Sequence, residues 1–316
     1  MTHNRPAGGL PSVRIRDWLG GIFPLKVRII YNPRSGFIAS HPLLLARVRA
    51  HIAAHRPDIA IAPTERRHHA TALAHEAVAD GCGCVMAFGG DGTMNEVAQA
   101  LIGTETVLGV IPCGSGNGLA RHLGIPLQPE AALSLLQSGR PRLIDAGLAD
   151  GRPYFVTAGV GFEGEIAERF NRLTRRGLPG YLATGARAWW SYRPQSYTVT
   201  SEGVRESRRA FTLAVANCNQ YGNNARIAPR ASVDDGLLDL AAVPPIGWLN
   251  AAPLLASLFL GTLDRRTDVL QVRGSSFVVE RTQPGPLHTD GEVYDAGKRV
   301  EFAVRPRCLR VLAPAV

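Results

Sequence analysis

Two glycine-rich loops, each set between a short apolar run and a helical pattern, constrain the fold of this chain more than any other feature. The first, Gly-Gly-Asp-Gly-Thr-Met-Asn at 89–95, follows the apolar run 85–88, and the second, at 112–118, follows 107–111. Glycines let a backbone approach a phosphate closely, and the N–H groups of a helix start supply donors and a positive dipole end. Two such loops in succession predict adjacent phosphate cradles at one sheet edge.

The alternation of short patterns divides the chain into two halves. From Lys26 to about residue 140, apolar runs alternate with helical patterns, which is typical of an α/β domain with a largely parallel sheet. Beyond it, strand-like segments with close turns predict a mainly β, sandwich-like domain. We therefore predict an N-terminal extension (1–25), a three-layer α/β nucleotide-binding domain (26–140) and a mainly β domain (141–316). We expect the last strand to pack back on the first domain and the site to lie in the interdomain cleft.

Composition narrows the class of partner. A chain of 316 residues with 45% hydrophobic residues can bury a full core, and its net charge of +9 favours a polyanion: nucleotide phosphates, nucleic acid or an anionic membrane face. The odd number of cysteines, five, argues against a disulfide framework and for a reducing compartment. The polar N-terminus lacks the order of a signal peptide, so we expect a cytoplasmic protein.

Two segments resemble a membrane-spanning helix and a dinucleotide-binding loop, and we expect neither feature in this chain. The uncharged stretch 240–263 is interrupted by Pro244, Pro245, Asn250 and Pro253, which predicts a strand end, a turn and a buried or interfacial helix rather than a membrane span. Residues 159–164 match G-x-G-x-x-G but lie outside the α/β half, and the acidic residue expected about twenty positions on is missing. We predict no dinucleotide site there.

Short motifs carry a family resemblance from about residue 26 to the C-terminus. In chain order they are N-P-x-S-G from Asn32, T-E-R-x-x-H-A from Thr64, G-G-D-G-T-x-N-E-V from Gly89, P-x-G-S-G-N-x-L-A from Pro112, D-D-G-L-L-D from Asp234 and D-G-E from Asp290. This set resembles the diacylglycerol-kinase-like catalytic family, which includes bacterial lipid kinases, sphingosine kinases and ceramide kinases. The resemblance implies an ATP-dependent kinase acting on a hydroxyl of a membrane lipid, either diacylglycerol or a sphingoid base or ceramide.

The resemblance also implies site residues. The expected ATP-binding residues are Asn32, Ser35, Thr64, Arg66, Gly89, Gly90, Asp91, Gly92, Thr93, Asn95, Gly114, Ser115, Gly116 and Asn117. A structural Mg²⁺ is implied in the second, lipid-binding domain, held by the carbonyls of Ser232 and Leu237 and the carboxylate of Asp235. Glu292 is the implied general base, and Asp91, a carboxylate expected to be exposed in its loop, is the competing assignment.

Lipid contacts are predicted less directly. Glu163 and Glu165 are the expected substrate-binding residues, although G-F-E-G at 161–164 departs from the G-F-D-A of many family members. We expect peripheral association with an anionic inner membrane surface through one of two apolar segments. One lies beside arginines near the N-terminus, and the other lies in the second domain. The first contains Trp18 and Phe23, and the second contains Trp248, Leu254, Leu255, Leu258 and Phe259.

Two other functions stay open. A soluble-substrate kinase of the NAD-kinase-like superfamily would also use G-G-D-G-T, and a non-catalytic binder of anionic membranes would explain the basic charge. The binder would use the basic and aromatic side chains of Arg172, Arg175, Arg176, Arg187, Trp189, Trp190 and Tyr192. Nucleic acid is not an expected partner because no motif supports it, and a homodimer is left open.

Overall fold

The computed structural model describes residues 26–165 and 191–315. The N-terminal extension with Trp18 and Phe23 lies outside these residues, as do Arg172, Arg175, Arg176, Arg187, Trp189 and Trp190 of the predicted basic-aromatic set. Tyr192 is the one member of the predicted basic-aromatic set that the structure describes.

The first part of the chain alternates strands and helices. Its elements are β1 (Val27–Tyr31), α1 (Gly36–Ser40), α2 (Pro42–His55), β2 (Ala60–Pro63), α3 (His69–Ala79), β3 (Cys84–Gly89), α4 (Asp91–Leu101), β4 (Val107–Pro112), α5 (Gly118–His122) and α6 (Pro129–Ser138). The strands pair in parallel in the order β2-β1-β3-β4. Every residue of β3 and β4 is buried, as expected for parallel strands that are covered by helices on both faces.

The same sheet continues into the second part of the chain. Its later strands are β5 (Arg140–Ala149), β6 (Arg152–Tyr154), β8 (Gln195–Ser201), β9 (Val204–Ala210), β13 (Ser276–Arg281) and β16 (Arg299–Ala313). The long β16 pairs in parallel with β4 near Val311 and antiparallel with β5 and β13. One sheet of ten strands therefore runs from the α/β part into the sandwich.

A second sheet completes the sandwich. Its strands are β7 (Thr157–Gly161), β10 (Thr212–Ala216), β11 (Leu238–Val243), β12 (Leu270–Gly274), β14 (Gly285–Thr289) and β15 (Glu292–Ala296), paired antiparallel in the order β12-β11-β10-β7-β14-β15. A common core joins the two sheets, with Tyr197, Phe277 and Phe302 from the large sheet packed with Leu213 and Leu287 from the small one. The predicted fold class, an α/β domain followed by a β-sandwich-like domain, is confirmed.

One helix covers the outside of the small sheet. The segment 240–263 comprises the end of β11, a turn and helix α7 (Trp248–Leu260), and a short 3-10 turn follows (Leu263–Arg265). Leu254 of α7 is buried in a cluster with Ala241 and Val243 of β11. None of the helices in the described residues is long and apolar enough to cross a membrane.

Candidate active site

The two glycine-rich loops lie against each other at the carboxyl ends of β3 and β4. A Cβ atom on Gly114 would lie 2.8 Å from the Cα atom of Gly90, and one on Gly116 would lie 2.6 Å from Oδ2 of Asp91. The first loop enters α4 through Gly90, and the second begins where Cys113 N–H donates to the carbonyl of Gly89 at 2.7 Å. Any side chain at these positions would push the loops apart, so glycine is required by the contact between them.

Asp91 holds the second loop in place. Its Oδ2 accepts the Asn117 N–H and its Oδ1 accepts the Gly118 N–H, both at 2.9 Å. Burial raises the pKa of Asp91, while these hydrogen bonds and the charge of Arg121 oppose that shift. The expectation of an exposed carboxylate was wrong, because the side chain is half-buried and both oxygens accept backbone donors.

Asn117 gives the second loop its shape. Its backbone is left-handed (φ 51°), and its side-chain amide accepts from the N–H of Gly114 and donates to the carbonyl of the same residue, both at 2.8 Å. This closes the loop on itself and turns the N–H groups of 117 and 118 toward Asp91. Four of the predicted nucleotide-binding positions, Gly90, Asp91, Gly114 and Asn117, thus form one packed unit.

The other predicted nucleotide-binding residues follow the neighbouring strands. Asn32 and Ser35 come directly after β1, and Thr64 comes directly after β2. The N–H of Thr64 donates a hydrogen bond to the carbonyl of Tyr31 at 2.8 Å. Parallel strands bring these carboxyl ends to the same sheet edge as the glycine-rich loops. The hydroxyl of Ser35 is buried and finds no hydrogen-bond partner in the described part of the chain. An unpartnered polar atom at this edge is consistent with a ligand there.

Asp290 joins the two domains, although the sequence analysis gave a role only to Glu292 of its motif. Its carboxylate accepts the side-chain amide of Asn95 at 2.7 Å and the N–H groups of Phe155, Val156 and Thr157 at 2.8–3.0 Å. Burial raises its pKa, and these hydrogen bonds oppose the shift. Asp290 (φ 48°) and Gly291 (φ 86°) form the turn between β14 and β15, which aims the carboxylate inward.

Glu292 lies beside the T-E-R loop. Its Oε2 accepts the Tyr294 hydroxyl at 2.8 Å, and its Oε1 lies 3.4 Å from a guanidinium nitrogen of Arg67. Its carboxylate, the imidazole of His68 and the carboxylate of Glu96 offer ligand atoms within 4.8 Å of one another. Glu96 already accepts the N–H groups of His68 and Ala70, so this acidic side chain satisfies the start of α3.

A cleft of ≈ 270 Å³ lies between the domains. Its lining residues are Asp91, Gly116, Gly118, Val156, Thr157, Glu163, Tyr221, Gly222, His288, Asp290 and Gly291. The structure therefore brings Asp91, Gly116 and Glu163 of the predicted site together. Glu292 and Glu165 are not among the lining residues, although Glu292 directly follows Gly291. The contributions of Tyr221 and His288 were missed because neither belongs to a local pattern that signals a site, and Asp290 was missed because its motif was assigned a role only through Glu292.

The predicted magnesium loop comes directly before β11. The carboxylate of Asp235 accepts the N–H of Leu237 at 3.1 Å and pairs with Arg273 at 2.9 Å, and Gly236 N–H donates to Asp145 at 2.7 Å. Two carbonyl oxygens and one carboxylate are a donor set that suits Mg²⁺. The set fits the ion in type, although a cation would have to share Asp235 with Arg273. Mg²⁺ at this loop stays a prediction.

We expect Asp235→Ala to remove any Mg²⁺-dependent stabilisation, because a bound ion stabilises only the folded chain. The melting temperature of the wild type should rise through a Mg²⁺ titration, and that of the variant should not. Asp268→Ala is the matched control, since Asp268 also pairs with an arginine on the surface. A melting temperature that is flat for the wild type as well contradicts a structural metal.

The fold and the site together define a class of protein. Two glycine-rich loops at the edge of a parallel α/β sheet, with buried carboxylates where the sheet meets a β-sandwich, are the arrangement expected of a phosphotransferase.

Comparison with known proteins identifies the family. Residues 26–149 match the model for the diacylglycerol kinase catalytic domain, and residues 156–313 match the YegS C-terminal NAD kinase beta sandwich-like domain. The chain belongs to the diacylglycerol-kinase-like family of lipid kinases, as its motifs predicted.

Individual relatives cover most of the chain. A "Probable lipid kinase YegS-like" of Pseudomonas aeruginosa is 32% identical over 277 residues, which are 85% of this chain and 90% of the relative. A diacylglycerol kinase of Mycobacterium tuberculosis is 30% identical over 302 residues, which are 92% and 95% of the two chains. A crystal structure of a diacylglycerol kinase from Bacillus anthracis has the same fold, with a TM-score of 0.72 at 24% identity over 92% of this chain and 97% of the other.

Proposed function

We propose that this protein transfers the terminal phosphoryl group of ATP, with Mg²⁺, to a hydroxyl of a membrane lipid. The observation that carries the proposal is the cleft with the glycine-rich loops on one wall and Glu163 and His288 of the sandwich on the other. Phosphoryl transfer depends mainly on positioning and on neutralising charge. A nucleotide on the loop wall and an acceptor hydroxyl on the sandwich wall would meet between them.

We assign the general base to Glu292 rather than to Asp91. Both oxygens of Asp91 already accept backbone N–H groups, so a proton arriving there would weaken the contact between the loops. Glu292 follows Gly291 at the rim of the cleft and has a hydroxyl and a guanidinium as its neighbours. Mg²⁺ would supply charge neutralisation on the nucleotide phosphates, while Glu292 accepts the proton of the lipid hydroxyl.

A radiolabelled ATP assay against diacylglycerol, monoacylglycerol, sphingosine, ceramide and NAD tests the proposal. We expect a labelled lipid product, and for Glu292→Gln a loss of about 100-fold or more in turnover. Glu76→Gln on the exposed side of α3 is the control and should stay at the wild-type rate. Label in NAD and in none of the lipids would instead assign the chain to the soluble-substrate kinases.

Membrane docking through α7 belongs to the same proposal. The predicted apolar stripe is divided: Leu254 is core, while Leu255 and Phe259 are 50% and 56% exposed. Arg265 is exposed in the 3-10 turn that follows α7, and the exposed Arg230 pairs with Asp264 of the same turn at 2.8 Å. The N–H of Arg226 donates to the carbonyl of Leu258 at 2.9 Å, which ties α7 to the loop that lines the cleft. We propose that an anionic bilayer contacts this face.

Vesicle sedimentation should detect this contact. We expect bound protein to increase with anionic lipid content and to decrease with salt, because the electrostatic part is screened. Phe259→Ser should weaken binding about tenfold or more, since an inserted apolar side chain contributes about 1.5–3 kcal/mol. Val204→Ser is the control, because Val204 is 71% exposed on β9 at the edge of the large sheet. Protein that stays in the supernatant at low salt, while it phosphorylates a short-chain lipid, excludes this membrane contact.

A further inference from the structure

A buried histidine and a buried glutamate form a pair in the wall of the cleft. His288 lies on β14 and Glu163 directly after β7, and their Nε2 and Oε2 atoms are 2.6 Å apart. The two side chains are only 6% and 9% exposed. Such a short contact between a ring nitrogen and a carboxylate oxygen needs a proton between them, so we assign Nε2 as the donor. The phosphoryl transfer described above uses neither residue as base or phosphate ligand.

The backbone opposite His288 is built to admit its ring. Gly159 of β7 pairs with His288 of β14, and a Cβ atom on Gly159 would lie 3.1 Å from Nε2 and 2.5 Å from the carbonyl oxygen of Leu213. The first glycine of the G-x-G-x-x-G segment therefore makes room for the imidazole. In other proteins a G-x-G-x-x-G motif can bind a dinucleotide. In this chain, its first glycine lets the paired strands β7 and β14 hold a bulky polar side chain.

Tyr221 is the third member of the cluster and also lines the cleft. Burial raises the pKa of its phenol well above the usual value, and the charge of Glu163 and their hydrogen bond raise it further. The phenol therefore stays protonated and acts as a donor. A carboxylate has about four lone-pair positions. The donors of His288 and Tyr221 therefore fix the position of Glu163 and leave lone pairs that can accept further hydrogen bonds.

The charge in this cleft is opposite to that of the chain as a whole. The net charge is +9, yet the described residues that line the cleft include the carboxylates of Asp91, Glu163 and Asp290 and no lysine or arginine. Asp91 and Asp290 are each occupied by backbone donors. Among the carboxylates that line the cleft, Glu163 is thus the one whose partners are side chains. Its remaining lone pairs can accept hydrogen bonds from a ligand. A buried carboxylate is stabilised by a ligand that donates and is destabilised by one that offers only acceptors.

We propose that His288 is a positioning residue for Glu163, and that the pair selects an acceptor lipid with a second hydrogen-bond donor, a hydroxyl or an ammonium, beside the hydroxyl that is phosphorylated. This inference rests on the proposed lipid kinase function and names its substrate class. Diacylglycerol has one hydroxyl, and its ester groups only accept hydrogen bonds. Monoacylglycerol adds one hydroxyl, and a sphingoid base adds a hydroxyl and an ammonium.

The test compares kcat/KM for diacylglycerol, monoacylglycerol and a sphingoid base of matched chain length in wild type and variants. We expect the wild type to favour a lipid with the second donor. His288→Leu, which leaves Glu163 without its imidazole, should lower kcat/KM for that lipid by about tenfold or more and change the value for diacylglycerol by less than about threefold. His288→Gln keeps a nitrogen donor and should recover most of the loss. His75→Gln, on the exposed side of α3, controls for a change of histidine elsewhere.

Each outcome bears on one of the two proposals. A preference for monoacylglycerol over the sphingoid base identifies a hydroxyl as the second donor, and the reverse preference identifies an ammonium. Equal losses on all lipids, or a wild type that favours diacylglycerol, overturn the role of the pair while leaving the lipid kinase intact. No label in any lipid overturns the proposed function itself. Melting temperatures and the KM for ATP show whether His288→Leu remains folded, and Glu163→Gln tests the same acceptor if it does not.

Discussion

Asp290→Ala should both destabilise this protein and abolish its activity. The substitution leaves the N–H groups of Phe155, Val156 and Thr157 and the amide of Asn95 without their acceptor. Each unpartnered buried donor costs about 1–3 kcal/mol, so we expect unfolding to become easier by about 3 kcal/mol or more. Because Asn95 belongs to α4 and the other donors to the sandwich, the cleft should lose its geometry as well. Urea unfolding and the kinase assay measure the two effects.

The appropriate control for this variant is Asp295→Ala, five residues further on β15 and exposed. It should match the wild type in both assays. Asp290→Asn should have a stability and an activity between those of the wild type and Asp290→Ala. Its amide oxygen can still accept some of the hydrogen bonds, while its amide nitrogen faces a backbone or side-chain N–H donor that is left unpaired. A wild-type unfolding curve for Asp290→Ala would mean that these hydrogen bonds do not hold the domains together.

Asp91→Asn should lower turnover by about 100-fold or more, and we expect a measurable loss of stability alongside it. The new side-chain nitrogen would face one of the two backbone donors, Asn117 N–H or Gly118 N–H, so one hydrogen bond is lost and one buried donor is left unpaired. The cost should be about 1–3 kcal/mol. The second loop would then lose its fixed distance from the first, which is the geometry that phosphoryl transfer requires.

Nucleotide affinity separates the roles that Asp91 could have. If Asp91 organises the loops, Asp91→Asn binds a fluorescent ATP analogue more weakly; if it is only a base, affinity is unchanged while turnover falls. Near-normal turnover would remove Asp91 from the site altogether. Glu292→Gln, measured in parallel, should retain nucleotide affinity because its neighbours Tyr294 and Arg67 are outside the glycine-rich loops.

The sequence by itself determined the local parts of this protein. The apolar runs before each glycine-rich loop became the buried strands β3 and β4, and the interrupted segment 240–263 became a strand end, a turn and α7. These features follow from backbone geometry over a few residues. Glycine permits the close contact of Gly90 with Gly114, and Pro244 and Pro245 keep the turn between β11 and α7 out of a helix, although Pro253 lies within α7. The order of the motifs was sufficient to identify the family.

Only the tertiary structure decided how the distant parts meet. It joined Asp290 to Asn95 across 195 positions and His288 to Glu163 across 125, and it showed that the last strand, which we expected to pack on the first domain, pairs with β4. It also placed Asp91, which local sequence had suggested was exposed, in a half-buried position between the two loops. A local sequence pattern specifies which backbone conformation a segment favours. The donors that satisfy a buried carboxylate depend instead on which strands and turns pack together. For that reason the glycine-rich loops and Glu163 could be recognised from sequence, but Tyr221, His288 and Asp290, which line the cleft with them, could not.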